Sequence, residues 1–406
     1  MVAEPVQATV QTLQSLLHQT TDFINTQSDR IQSKYHDQIF FEPKSNPVIQ
    51  VRPRVQQGFM SSLYRVISKN KTAMILGIGL GIAGGVYFFM NWPRDSHTRR
   101  RRVSKLTNGG RTDVVLLIGS PTEPLTRAIA LDFDKRGFIV YLTILDSIDA
   151  KYISSHPLCE DINYLDFTHG TIEDNLLHFK QVIKAPAYAF PGAHPHRLRL
   201  KSIIFAPSLF FPIGPIENVG VNTWQKLSDR FMMYLKLLSG GLIQLVRSQA
   251  VRVISICPNN LSALNVAYNG PESVFQNQLK SLFTVLSKEL KQHGVFVTQV
   301  KLGNVCLSHQ KLGSNSRIES LVNTEVRAWT SEMRELYSSD FVRSQYVSNR
   351  VKGSGGHGKP AKELFHLLYD LTYSKRPPTI AYCGKGARWY EYIARGLPHS
   401  WITFLF

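Results

Sequence analysis

Cysteine is scarce: the 406 residues hold four, Cys159, Cys257, Cys306 and Cys383, and none forms a C-x-x-C pair. That scatter argues against a zinc site and against a disulfide framework. It suits a reducing compartment for the part of the chain that carries these thiols. Acidic residues are also few. Against 47 Lys and Arg stand 29 Asp and Glu, a formal net charge of +18. RNA-binding, zinc-finger and helix-turn-helix patterns are missing, so the excess is not read as a nucleic-acid footprint. The opening MVAEPVQATVQTLQSLL lacks both the apolar core of a signal peptide and the Arg-rich bias of a transit peptide. There is no G-x-S-x-G nucleophile elbow and no internal repeat. The glycine-rich run at 353–358 lacks the Lys–Ser/Thr pair of a P-loop and reads as a flexible approach to the next helix.

Charge is wholly absent from one stretch, residues 72–92, TAMILGIGLGIAGGVYFFMNW. At a helical rise of about 1.5 Å per residue it would be roughly 30 Å long, enough to cross a bilayer core. Tyr87 and Trp92 suit a membrane–water interface. Gly79, Gly81 and Gly84 spell G-x-G-x-x-G. That dinucleotide fingerprint needs a strand before it and an amphipathic helix after it, and has neither here. Gly77, Gly81 and Gly85 stand at small-xxx-small spacing, which lets a second helix approach closely. Basic residues crowd both flanks: Arg52, Arg54, Arg65, Lys69 and Lys71 before, and Arg94, Arg99, Arg100, Arg101, Arg102, Lys105 and Arg111 after. Such clusters attract anionic headgroups. The expectation is a single-pass protein of the endoplasmic reticulum or a mitochondrial membrane. Residues 93–406 are placed on the cytosolic side by a weak positive-inside bias, since both flanks are basic.

The chain then divides as follows. Residues 1–42 hold an amphipathic helix with Val10, Leu13, Leu17, Ile24 and Ile31 on one stripe. Residues 43–71 are a linker punctuated by Pro43, Pro47 and Pro53, ending in a basic helix. The span follows, then a basic tether over 93–111. From residue 112 short β-branched runs alternate with helical stretches. Strands are expected at 114–118, 138–142, 162–165, 202–205, 251–256, 295–300 and 379–382. Helices are expected at 124–136, 172–183, 221–248, 271–293 and 361–373. Largely apolar strands alternating with helices imply an α/β domain, a doubly wound parallel sheet covered on both faces.

Several motifs in residues 112–305 resemble the core of the short-chain dehydrogenase/reductase (SDR) superfamily. They are the Asp of Tyr164-Leu-Asp166-Phe-Thr168, Gly214-Pro-Ile-Glu217 leading to Trp224, and Leu286-Ser-Lys-Glu-Leu290 followed by His293-Gly-Val-Phe-Val-Thr298. Gly303 sits where the family has a Pro-Gly turn, with Leu302 in place of the proline. The whole arrangement, with the tail Ala381-Tyr-Cys-Gly-Lys-Gly-Ala-Arg-Trp-Tyr-Glu391, resembles an uncharacterised fungal family of SDR-like membrane proteins. The resemblance implies NAD(P) as a possible cofactor, with Gly119, Ser120, Asp166, Ala206 and Gly303 at the positions that would meet it.

The family's chemistry is damaged here. Its phosphate loop, T-G-x-x-x-G-x-G, keeps one glycine, Gly119; the next two positions fall on Glu123 and Leu125. A carboxylate at the mouth of a phosphate site repels the ligand, and leucine adds bulk. Pro124 can still start the helix. The family's N-N-A-G aligns with Phe205-Ala-Pro-Ser208, and its active-site Asn has no counterpart between Asn222 and Asn259. In one register its Ser falls on Pro258 and its Tyr-x-x-x-Lys on Glu272 and Gln276. In a second register Ser255 and Tyr268 are spaced as the catalytic pair, with Glu272 at the Lys position. A carboxylate there would raise the Tyr268 pKa, opposite to what proton transfer needs. His194-Pro-His196 with Arg197, Arg199 and Lys201 offers metal or phosphate binding, against the plainer reading of a solvated insertion. The expectation is a membrane-anchored scaffold or binding module for a protein or lipid partner, without metal. The alternative is a divergent NAD(P)-dependent oxidoreductase acting on a membrane-soluble substrate.

Overall fold

The computed structural model describes residues 101–158, 161–306, 315–352 and 358–396. The amino-terminal helix, the linker, the apolar stretch at 72–92 with its glycines, and the tether up to residue 100 lie outside the described residues. Among the described residues no helix is long and apolar enough to cross a membrane.

Seven parallel strands form the central sheet. They are β1 (Asp113–Ile118), β2 (Ile139–Ile144), β3 (Ile162–Asp166), β4 (Arg199–Phe205), β5 (Arg252–Pro258), β6 (Val297–Leu302) and β7 (Ile380–Cys383). The order across the sheet is β7-β6-β5-β4-β1-β2-β3. The chain moves outward from β1 in one direction, returns to its other side at β4, and moves outward again. This is the doubly wound order expected, with its switch point between β1 and β4. β1 is buried along its whole length, as a parallel strand covered on both faces must be.

Alternate strand residues feed two cores. Val114, Leu116 and Ile118 face a cluster with Phe179 of helix α3 (Ile172–Lys184), Leu237 of α4 (Val221–Leu237) and Phe283 of α7 (Gly270–Lys291). Val115 and Leu117 face the other cluster, with Ile129 of α1 (Pro124–Lys135) and Leu368 of α10 (Ala361–Tyr373). Two-residue alternation thus survives although both faces are apolar.

The remaining helices depart from expectation. α2 (Ser147–Ser155) starts where the Asp146 carboxylate accepts the Asp149 N–H at 2.8 Å. The helix expected over 221–248 is interrupted: after α4 comes a π-type turn, Leu238–Leu242, then α5 (Ile243–Gln249). Gly241 has φ +112°, a conformation that side chains disfavour. A Cβ on Gly240 would lie 3.1 Å from Ile172 of α3. The paired glycines therefore give both the break and the close helix approach. α6 (Asn260–Leu264), α8 (Asn315–Ala328), α9 (Ser331–Lys352) and α11 (Ala387–Gly396) complete the described chain.

Candidate functional site

In a doubly wound sheet a ligand lies outside the carboxyl ends of the strands, near the switch point. Three of the five cofactor positions, Gly119, Ser120 and Ala206, meet there. The Gly119 N–H donates to Thr143 Oγ1 at 3.1 Å. A Cβ on Gly119 would lie 2.5 Å from the Ala206 carbonyl oxygen, so close passage of β4 by itself demands glycine. Ala206 N–H donates to the Ile118 carbonyl at 2.8 Å. The Ser120 hydroxyl donates to Asp149 and lies 2.6 Å from Thr122 Oγ1. Burial raises the Asp149 pKa, and the Ser120 hydrogen bond opposes that shift. Asp166 stands apart, and Gly303 follows the end of β6 and lines the adjoining crevice. The Asp166 carboxylate accepts both the N–H and the hydroxyl of Thr168 at 2.7 Å, closing the turn after β3. The Gly303 N–H donates to the Cys383 carbonyl at 2.7 Å, and a Cβ there would lie 2.4 Å from the Lys385 carbonyl oxygen.

Glu123 is the N-cap of α1, where helix amides would otherwise face a phosphate. Its side chain is buried; Oε1 accepts the Ser208 hydroxyl, and Oε2 is buried with no hydrogen-bond partner. Leu125 is also buried and lines the adjoining crevice, which measures about 280 Å³. That is at the lower edge of the roughly 300–1,000 Å³ usual for small-molecule sites. Pro258, Glu272, Gly303 and Asn304 also line it. Pro258 and Glu272 are the positions that the family's Ser and Tyr take in the first register. Gln276 lies beneath, buried, its Nε2 donating to the Ser208 carbonyl at 3.4 Å.

Ser255 and Tyr268 are not brought together. Ser255 is fully buried in β5, between Phe205 of β4 and Gln299 of β6, with its Oγ 3.5 Å from Cys257 Sγ. Tyr268 has φ +62°, unusual for a bulky side chain. Its ring packs edge-on against Phe341, 5.4 Å between centroids, and against Tyr337, 6.4 Å, both on α9. Tyr268 thereby joins the small core around Trp329 that seats the α8–α9 pair. Its pKa is raised, as expected, but the cause differs: burial leads, followed by the Asp340 charge and Tyr337.

A buried charge network escaped the sequence reading. Lys301 of β6 is 1% exposed, with its Nζ 3.9 Å from Glu391 Oε1 of α11. Glu391 also accepts from Asn259 Nδ2 at 3.3 Å and from Arg395. Burial, then the nearby Lys280 charge, pulls the Lys301 ammonium down to about 8, against the pull of Glu391. The available signal was a lysine directly after an expected strand and a glutamate in the tail motif. Among the described residues no group of His, Cys, Asp and Glu is arranged to hold a metal. His196 Nε2 instead lies 3.1 Å from the Arg111 carbonyl oxygen.

The sequence profile of a fungal family of unknown function, DUF1776, matches residues 110–403. The chain belongs to this family. The match takes in every strand of the DUF1776 sheet and the tail motif, and it begins beyond the apolar stretch. This DUF1776 chain is 28% identical over 271 residues to UPF0744 protein C106.03 of Schizosaccharomyces pombe, covering 65% of this chain and 69% of that one. Against UPF0744 protein YSD83 of Saccharomyces paradoxus it is 22% identical over 216 residues, 53% of this chain and 49% of that one. Among solved structures, a short-chain dehydrogenase from Streptomyces avermitilis superposes with a TM-score of 0.46 at 15% identity, covering 70% of this chain and 92% of that one. The E. coli oxidoreductase yciK gives 0.44 at 14%, covering 71% and 99%. The fold assignment rests on the sheet order itself.

Proposed function

We propose that this DUF1776 protein is a membrane-anchored binding module on an SDR-like Rossmann frame, and that it does not transfer hydride. The observation that carries the reading is Glu123. A buried carboxylate, held by Ser208, stands at the helix N-terminus that would take a pyrophosphate, where an anion repels an anion. Leu125 supports it by filling space beside the loop, and the separation of Ser255 from Tyr268 removes a proton relay between them. The uncharged stretch at 72–92 supports the anchor, with the Rossmann domain on the cytosolic side. Gly77, Gly81 and Gly85 offer a face for pairing with a second helix.

The test is a titration of the full chain in detergent micelles with NADH and NADPH, following nucleotide fluorescence and thermal unfolding. A ligand at about a hundred times its dissociation constant stabilises a fold by about 2.7 kcal/mol. No shift is expected with either nucleotide up to millimolar concentration. Saturable binding in the micromolar range would overturn the reading.

The second reading, a divergent NAD(P)-dependent oxidoreductase acting on a membrane-soluble substrate, is favoured by Lys301, which titrates near 8, within the range used for proton transfer. Its ion pair with the tail glutamate gives it an architectural role as well, and Glu123 weighs against the cofactor that this reading requires.

A further inference from the structure

The opposite end of the sheet, where the strands begin, carries a surface that the proposed module leaves unassigned. A cleft of about 580 Å³ opens there, lined by Arg197, Arg199, Lys201, Arg252 and Lys375, with no carboxylate among its lining residues. The Lys201 Nζ stands 5.9 Å from the Tyr373 ring and 3.8 Å from Asp113. Arg252 donates to the Ser374 and Lys375 carbonyls at 3.2 and 3.1 Å. The side chains of Arg197, Arg199 and Lys375 are exposed. Beside them projects a short hairpin in which Pro186–Ala187 pairs with His196–Arg197. Near its tip Tyr188 and Phe190 are 60% and 55% exposed. The hairpin packs against the start of the domain: a Cβ on Gly110 would lie 3.2 Å from both Ala189 and His196.

A second cleft, of about 550 Å³, holds Arg101, Arg102, Lys135, Arg136 and Lys362 together with Asp132, which pairs with Arg136, while Arg101 pairs with Asp370. Tyr373 of the first cleft packs at a tilt against Tyr369, 4.9 Å between centroids, and Arg136 of the second lies over the Tyr369 ring. Cationic clefts beside exposed aromatic side chains are the combination that binds an anionic bilayer surface: charge draws the protein in, and rings enter the headgroup layer.

We infer that this face rests on the anionic headgroups of the membrane in which residues 72–92 are anchored, with Tyr188 and Phe190 entering the interface. The inference rests on the proposed anchor. Charge complementarity is the ground for this occupant: Arg197, Arg199 and Lys375 are exposed, and no carboxylate lines their cleft.

The test compares amide hydrogen exchange of the full chain in nanodiscs of pure phosphatidylcholine and in discs containing phosphatidylserine. Exchange at 188–192, 197–201 and 372–376 is expected to slow about tenfold in the anionic discs, since each basic contact contributes enough for several-fold protection. The double substitution Arg199→Glu with Lys375→Glu, at exposed positions, should abolish the slowing, and Phe190→Ser should reduce it. Identical exchange in the two discs overturns the inference. So does equal protection without lipid by millimolar inorganic phosphate or by a homopolymeric RNA. Flotation of the full chain with pure phosphatidylcholine vesicles judges the anchor separately. A chain that fails to float refutes the anchor, and the exchange comparison is then made with vesicles added from outside, where composition-independent exchange again overturns the headgroup surface.

Discussion

The two ends of the sheet differ in the charge they present around the crevice and the cleft. At the carboxyl ends, where a nucleotide would need donors and cations, the chain places Glu123, Glu272 and a leucine, and it spends the Gly119 and Gly303 amides on its own structure. At the amino ends, usually bare of ligands, five basic side chains line a cleft beside two exposed rings. The frame sets where a binding site can lie, while side-chain charge sets what can lie there. The positions are shared among doubly wound proteins; the charges belong to this one.

The comparison is most severely tested at Gly303. Replacing it with valine would drive a side chain into backbone atoms of Lys385 and Ala387, within 2.7 Å. We expect a loss of about 3 kcal/mol or more in chemical denaturation, as overpacking against immovable backbone produces. An unchanged midpoint would mean that the tail does not close the carboxyl end.

Lys301 comes next, through pH. Its folded pKa, about 8, lies below its ordinary value of 10.5. Between those values the unfolded chain binds more protons than the folded one, so the lysine's contribution to stability rises with pH. Wild type should therefore gain on Lys301→Met from about pH 8 to 10.5 in paired melts. A constant difference across that window would show that Lys301 is not held low.

Glu123→Gln should raise stability by about 1 kcal/mol, because an amide tolerates burial without a cation better than a carboxylate does. A loss instead would point to an unseen cationic partner at the mouth of the crevice. The smallest change is expected at Tyr268→Phe: the ring packing is kept and stability should stay within about 0.5 kcal/mol. A larger loss in urea unfolding would assign the hydroxyl a role that its surroundings do not suggest.

The seven strands were legible because their β-branched runs are buried on both faces, which leaves a continuous apolar signal. The ends of β5 and β6 were not. Both run to Pro258 and Leu302, two residues beyond expectation, because pairing with a neighbouring strand fixes those ends. The break at Gly240–Gly241 was written in the sequence, yet its register depends on how closely α3 passes. α2, α8, α9 and α11 are polar or short, and α9 and α11 are seated on α6, far from them in sequence. The same holds at the crevice. Glu123 and Leu125 could be read locally as obstacles, but Ser208, 85 residues away, could not be assigned as the partner of Glu123. Nor could spacing alone choose between the two registers for the Tyr-x-x-x-Lys pair; packing puts Pro258 and Glu272 at the crevice and Tyr268 beneath α9.

Among the described elements β7 and α11 are the last to leave the ribosome, yet β7 covers the flank of β6, and Lys385 exchanges backbone bonds with Asn304. Until the tail emerges, a nascent DUF1776 domain would present the unpaired backbone edge of β6 to the cell, the kind that recruits foreign strands. Emergence of β7 and burial of that edge are thus coupled events, and the interval before β7 appears is when this domain would most need a chaperone.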